Sequence, residues 1–348
     1  MRHIGWDPSF IREARGRFVS ARRHLKSLAG AISMAALVAA CASTAGSSSS
    51  PAVGDSSASA IASTAAPDPS AGAFPLTLRD DEGTNIALRS QPHRIVSLTP
   101  GTTEILFALG VDERVLATDG ASDYPAAAVP LPDVADFGTI NVEKIVALEA
   151  DLVLAGGNGY TPPDGVMKLR SLGIPVLVVY APSVGGVADT VELLGRAVGR
   201  AAKGSELAAS LRVEIASLAG AVSGLSKPRT FYEIDATNEI YGPADRSFLG
   251  EMVGLAGGTP ITTGSADSFM IPLERLIAAD PEVIILGDAA FGTTADTVAT
   301  RSGWSVMTAV RAGAIRIADD KLITRPGPRL AQGLRSLILA IHPGAVLP

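Results

Sequence analysis

A single cysteine, Cys41, stands among the 348 residues, so neither an intramolecular disulfide nor a cysteine-built metal cluster can form. Histidine is almost as scarce. His3 and His24 lie in the basic N-terminal region, His93 precedes the first β-rich run of the body, and His342 abuts Pro343. A metal site made of several imidazoles is excluded, with most histidine acid–base chemistry. Aromatic residues make up only 5% of a chain that is 47% hydrophobic, so the apolar mass is mostly Ala, Val, Leu and Ile, the usual filling of α/β layers. The net charge of -6 comes without a basic stripe, which argues against nucleic acid as a partner. Beyond residue 41 no apolar run is long enough to cross a bilayer. A Gly-x-Ser-x-Gly elbow, a Walker loop and a His-Glu-x-x-His pair are all absent. Gly156-Gly157-Asn158-Gly159 follows a strand-like run but leads to Pro162-Pro163, a poor dinucleotide fingerprint. No catalytic residue is therefore assigned, and no intrinsic cofactor or metal is expected.

What is present begins at the N-terminus. Arg12, Arg15, Arg17, Arg22, Arg23 and Lys26 precede the apolar run 28–40, and a Ser/Ala-rich stretch follows Cys41. This order is that of a secretory signal peptide. Val38-Ala39-Ala40-Cys41 resembles the lipobox of bacterial lipoproteins, which implies diacylation of Cys41 (palmitate-type acyl chains) as the mature N-terminus. Two chains are what stable anchoring requires. Residues 41–73, rich in Ser, Ala, Gly and Pro, read as a disordered tether that cannot bury enough apolar surface to fold.

The body alternates β-rich and amphipathic segments. Residues 76–78 and 86–88 flank a turn signal at 81–83 and predict a hairpin. Strands are predicted at 95–98, 115–118, 152–155, 175–180, 230–234, 283–286 and 314–317, with helices at 102–109, 141–148, 163–172, 247–255, 273–278 and 329–341. From 187 to 218 only helical spacing appears, and one long helix is expected, bent or broken near Gly199 and Gly204. The fold class is α/β: two α/β lobes joined by a helical connector. The expected organisation is a signal peptide over 1–40, the tether over 41–73, a first lobe over 74–186, a helical connector over 187–226 and a second lobe over 227–348. A weak repeat supports two lobes. Glu143-Lys144-Ile145-Val146-Ala147 followed by Asp151-Leu152-Val153-Leu154 mirrors Glu274-Arg275-Leu276-Ile277-Ala278 followed by Glu282-Val283-Ile284-Ile285. Glu143 and Glu274 each fall in the first turn of a helix, where the macrodipole alone favours a carboxylate.

His93-Arg94-Ile95-Val96-Ser97-Leu98 with Thr103-Glu104-Ile105 resembles the opening of the cobalamin, ferric-siderophore and haem binding proteins of ABC importers. Asp123-Tyr124-Pro125, Asn141-Val142-Glu143-Lys144-Ile145, Asp151-Leu152-Val153, Leu255-Ala256-Gly257-Gly258, Leu273-Glu274-Arg275-Leu276 and Pro328-Arg329 continue the resemblance in order to the C-terminus. It implies two Rossmann-like lobes joined by a long rigid helix, with the ligand cleft between the lobes, in an extracytoplasmic receptor that passes a cobalt- or iron-containing chelate to a permease dimer and its ATPase; the lipobox resemblance adds the membrane anchor. Cobalamin and ferric siderophores are favoured over haem. The resemblance also implies that Glu143 and Glu274 dock onto arginines of the permease. Cleft residues are expected on the loops after strands: Thr99, Thr102, Tyr124, Phe137, Tyr160, Tyr241, Phe269, Phe291 and Arg325. Phe137 falls where cobalamin binders present an aromatic wall, whereas Ala121 and Gly156 replace other ring-stacking aromatics. A non-transport lipoprotein (sensor or adhesin) and an enzyme on a two-lobed scaffold are the alternatives.

Overall fold

The computed structural model describes residues 74–136 and 138–348. The predicted signal segment, Cys41, the tether and Phe137 lie outside the described residues. The chain opens on an antiparallel hairpin, β1 (Leu76–Arg79) and β2 (Asn85–Leu88). Then come β3 (Ile95–Ser97), α1 (Pro100–Ala108), β4 (Val115–Asp119), β5 (Asp133–Asp136), β6 (Thr139–Ile140), α2 (Val142–Ala147), β7 (Leu152–Gly156), α3 (Pro163–Ser171) and β8 (Val176–Val179). Six of these strands form one sheet in the order β6-β5-β4-β3-β7-β8, parallel except at β5–β6. Every residue of β3, β7 and β8 is buried, which is why they read as continuous apolar runs rather than alternating ones.

The hairpin covers the β8 edge, which would otherwise offer unpaired backbone groups. Asp81 N–H donates to the Val178 carbonyl (3.1 Å), and Tyr180 N–H donates to the Asp81 carboxylate (2.7 Å). Buried Asp80 ties the turn together by accepting from Thr84 N–H (2.7 Å) and from Arg170 of α3 (2.5 Å).

The helical stretch is two helices, α4 (Val184–Ala197) and α5 (Ala201–Val222), and not one. The break falls at Gly199, whose φ of +71° ends α4 in the left-handed conformation that glycine adopts without steric penalty. Gly204 serves a different purpose. The two helices fold back on each other, and a Cβ on Gly195 would lie 2.8 Å from the Gly204 Cα. Arg212 then clips the pair by donating to Asp189 and Glu192, both at 2.7 Å. The 22-residue α5 is about 33 Å long. Its start lies near Val198, whose carbonyl accepts from Gln91 and Arg114 of the first lobe, and its end Val222 lies against Gly257 in the second.

The second lobe contains β9 (Arg229–Glu233), α6 (Phe248–Leu255), β10 (Thr259–Pro260), α7 (Leu273–Ala279), β11 (Val283–Leu286), α8 (Ala295–Ala299), α9 (Thr308–Arg311), β12 (Ile315–Ile317), α10 (Asp320–Ile323) and α11 (Leu330–Ile341). Its sheet has the order β10-β9-β11-β12 and is wholly parallel. One apolar core is shared by the lobes: Ile105, Leu152 and Leu177 of the first and Ile285, Leu334 and Ile338 of the second pack into one cluster with Leu211 and Leu218 of α5. The opposite face of each sheet has its own smaller core. A shared core resists hinge opening, because opening would expose apolar surface.

The sequence repeat corresponds to a repeated backbone clamp. Arg94, entering β3, donates its Nε to the Leu148 carbonyl at the end of α2 (3.0 Å), while its N–H donates to Asp151 (2.8 Å). Arg229, entering β9, donates its Nε to the Ala279 carbonyl at the end of α7 (3.1 Å), while its N–H donates to Glu282 (2.9 Å). The acidic residue before each strand therefore holds the neighbouring strand, and the arginine there holds the carboxyl end of the helix. Glu143 and Glu274 are exposed in the first turns of these two equivalently clamped helices.

Candidate functional site

The segment after β12, with α10, reaches across to the segments after β3 and β4 and forms a polar seam between the lobes. Glu104 of α1 is 3% exposed and receives a bidentate pair from Arg329 at 2.6 and 2.8 Å. Arg325 donates to Asp123 at 2.6 Å and to the Ala121 carbonyl at 3.2 Å, and lies 3.7 Å from Glu104. Lys321 completes the set on Asp123 at 2.5 Å. Burial alone would raise the Asp123 carboxyl, but hydrogen bonds from Arg325 and Lys321 outweigh it and hold the pKa down at about 2. The backbones also meet closely: a Cβ on Gly101 would lie 2.6 Å from the Pro326 carbonyl oxygen, so the seam requires glycine there.

Aromatic side chains project from the same region. Tyr124 remains 44% exposed, with one ring face covered by the Arg329 guanidinium at 3.6 Å from its centroid. An aromatic ring of the first lobe is thus fixed by a cation of the second. Tyr160 lies half-buried with its hydroxyl 3.4 Å from Asp119. A Cβ on Gly156 would meet Thr99 at 2.7 Å and the Tyr160 ring at 3.0 Å, so the tyrosine fills the space a larger residue at 156 would need. In the second lobe, Tyr241 is held in bridges to Asp235 and Met270 beside half-buried Phe269, and Phe291 is 49% exposed. Phe137 lies outside the described residues; its neighbours on β5 and β6 line an open groove that runs to Glu143 and Lys144.

The remaining expected cleft residues sit deeper. Thr99 is the N-cap of α1 and accepts from Thr102 N–H (3.2 Å). Thr102 is buried, its hydroxyl shared with Ser97 (2.7 Å) and Thr99 (2.8 Å), so it braces the first helical turn. Arg325 is engaged by the seam carboxylates. Of the other seam residues, Asp123 lies in the loop expected to line the cleft beside Tyr124, Glu104 and Arg329 lie within motifs of the family pattern, and Lys321 lies in no such motif.

Within the second lobe a separate buried pair stands at the ends of β9 and β11. Glu233 receives Arg301 at 2.6 and 2.8 Å. Burial pushes its carboxyl up to about 7 against the pull of Arg301, with Asp288 adding to the rise. Arg301 in turn covers Trp304, which is buried in the core of this lobe, away from the cleft surface.

Residues 95–322 match the family model described as periplasmic binding protein. An uncharacterized ABC transporter substrate-binding lipoprotein, YvrC of Bacillus subtilis, is 30% identical over 78% of this chain and 86% of its own length. The periplasmic vitamin B12 binding protein BtuF of Vibrio cholerae superposes with a TM-score of 0.63 at 27% identity, covering 72% of this chain and 96% of that one. A protein of an ABC-type Fe3+-hydroxamate transport system from Saccharomonospora viridis gives 0.63 at 25% identity over 78% and 100%. With more than half of its length matched and a body of two mainly parallel α/β sheets, this chain belongs to the periplasmic binding protein family.

Proposed function

We propose that this chain is the extracytoplasmic receptor of an ABC importer, that it captures a bulky cobalt or iron chelate between its lobes, and that it presents the chelate to a permease dimer. The observation that carries this reading is the pair of exposed glutamates, Glu143 and Glu274, one per lobe, in the first turns of helices held by the same arginine clamp. A ligand held between two lobes and one carboxylate on each suit a two-subunit permease, with one charged contact per subunit fixing orientation. Aromatic side chains on both walls suit a wide, largely apolar ligand with polar edges. The relatives support the choice of ligand: their names include a vitamin B12 binding protein and a ferric hydroxamate transport protein. Acylation at Cys41 would keep the receptor beside its importer and raise its effective concentration there.

Capture is tested by calorimetric titration of residues 74–348 with cobalamin, haemin and a ferric hydroxamate. Trp304 is the tryptophan in that span, and its burial makes fluorescence a poor reporter. At least one chelate is expected to bind one-to-one with a Kd of about 1 μM or tighter, corresponding to roughly -8 kcal/mol. No saturable heat with any of the three would sink the receptor reading.

A further inference from the structure

The charges on the segments that follow the strands are one-sided. In the first lobe the segments that follow β3, β4, β7 and β8, residues 98–99, 120–132, 157–162 and 180–183, contain no lysine or arginine, and their one acidic residue is Asp123. The matching segments of the second lobe, 234–247, 261–272, 287–294 and 318–329, carry four bases, Arg246, Lys321, Arg325 and Arg329, against seven acidic residues. Three of those bases are committed to Asp123 and Glu104 in the seam. Arg246 is the base of these segments that the seam does not engage.

We infer that the site selects its cargo by charge, accepting a neutral or cationic chelate and rejecting a polyanionic one, with Asp123 as the residue that enforces the choice. This rests on the receptor reading above and narrows it. A polyanion at the seam must lose water, and Lys321, Arg325 and Arg329 can serve it only by leaving Asp123 and Glu104, which would then be unpaired between the lobes. A neutral ligand incurs neither penalty: its uncharged rim can meet the aromatic walls and exchange hydrogen bonds with backbone and hydroxyl groups. Asp123 is the most economical point of control, because one carboxylate occupies both Lys321 and Arg325.

The test uses residues 74–348 and three probes titrated in low and high salt: cyanocobalamin, a neutral ferric trihydroxamate and a trianionic ferric tris-catecholate. At least one neutral probe is expected to bind about 30-fold or more tightly than the trianion, since like-charge juxtaposition disfavours it. Added salt should strengthen any residual binding of the trianion, because it screens repulsion. Asp123→Asn leaves Lys321 without its carboxylate and Arg325 with Glu104 alone, and should raise trianion affinity relative to that of the neutral probes about fivefold or more. A trianion that binds as tightly as the neutral probes, or that weakens with salt, overturns charge selection and leaves the receptor reading standing. Trianion affinity unchanged in a folded Asp123→Asn protein removes Asp123 from the role; if that variant melts early, the salt response of the unaltered protein still decides. Binding of none of the probes overturns the receptor reading and charge selection with it.

Discussion

Alanine at both Glu143 and Glu274 is expected to abolish import while leaving chelate capture unchanged. Both carboxylates are exposed, belong to no core cluster and take no part in the seam pairs, so their removal is expected to disturb neither. The helices that carry them are clamped at their carboxyl ends by Arg94 and Arg229, which keeps the first turns in place after substitution. Loss of one partner of a charge pair at an interface typically costs about 2–5 kcal/mol, or roughly 30-fold and upward in affinity. Each single substitution should therefore weaken docking strongly, and the double one should reduce uptake to background. The check is uptake of labelled chelate beside calorimetry of the same variants. Wild-type uptake by the double variant would show that the two glutamates serve only their helix dipoles.

Glu104→Ala is expected to destabilise the fold by about 3–5 kcal/mol, the usual consequence of leaving one partner of a buried ion pair without the other. Glu104 is almost wholly buried, and both of its oxygens are taken by Arg329. Truncation leaves the guanidinium beside Tyr124 with no carboxylate of its own and loosens the ring that the cation fixes. Two consequences should separate this from a plain packing defect. Arg329→Met made in the Glu104→Ala background should recover part of the loss, because it removes the stranded charge. Chelate affinity should also fall in Glu104→Ala even at temperatures where the protein remains folded. Urea denaturation showing a loss below about 1 kcal/mol would mean that the seam contributes little.

Much of the fold was legible because each lobe follows local rules. The all-buried strands β7 and β11 are apolar runs, and the acidic residue before each proved to be the acceptor that binds the neighbouring strand. The break in the connector falls at the glycines where the sequence places it, but their two roles are not legible there. Gly199 and Gly204 look alike in sequence, but one ends a helix through its positive φ and the other lets two helices touch. Strands β5 and β6 escaped notice because 133–140 is short, rich in aspartate and weakly apolar.

The site was less legible than the fold for a physical reason. Glu104 and Arg329 are separated by 225 positions, and no local pattern says that a carboxylate and a guanidinium so far apart share a buried pair. Without that pairing, Arg325 read as a base available to a ligand, whereas Asp123 and Glu104 already engage it. Thr102 read as a cleft hydroxyl because it follows a strand; its partners Ser97 and Thr99 turn it inward. Glu143 and Glu274 are legible as a pair, because a repeated helix start is visible in sequence even when its clamp is not.

The central claim is that this chain captures a chelate for import, and the most direct measurement is uptake of the labelled chelate by cells deleted for the gene, with and without a restored copy. Energised uptake at limiting chelate concentration should fall to background on deletion and return with the intact chain. Uptake undiminished by deletion, for a chelate that the purified protein binds, would contradict the account.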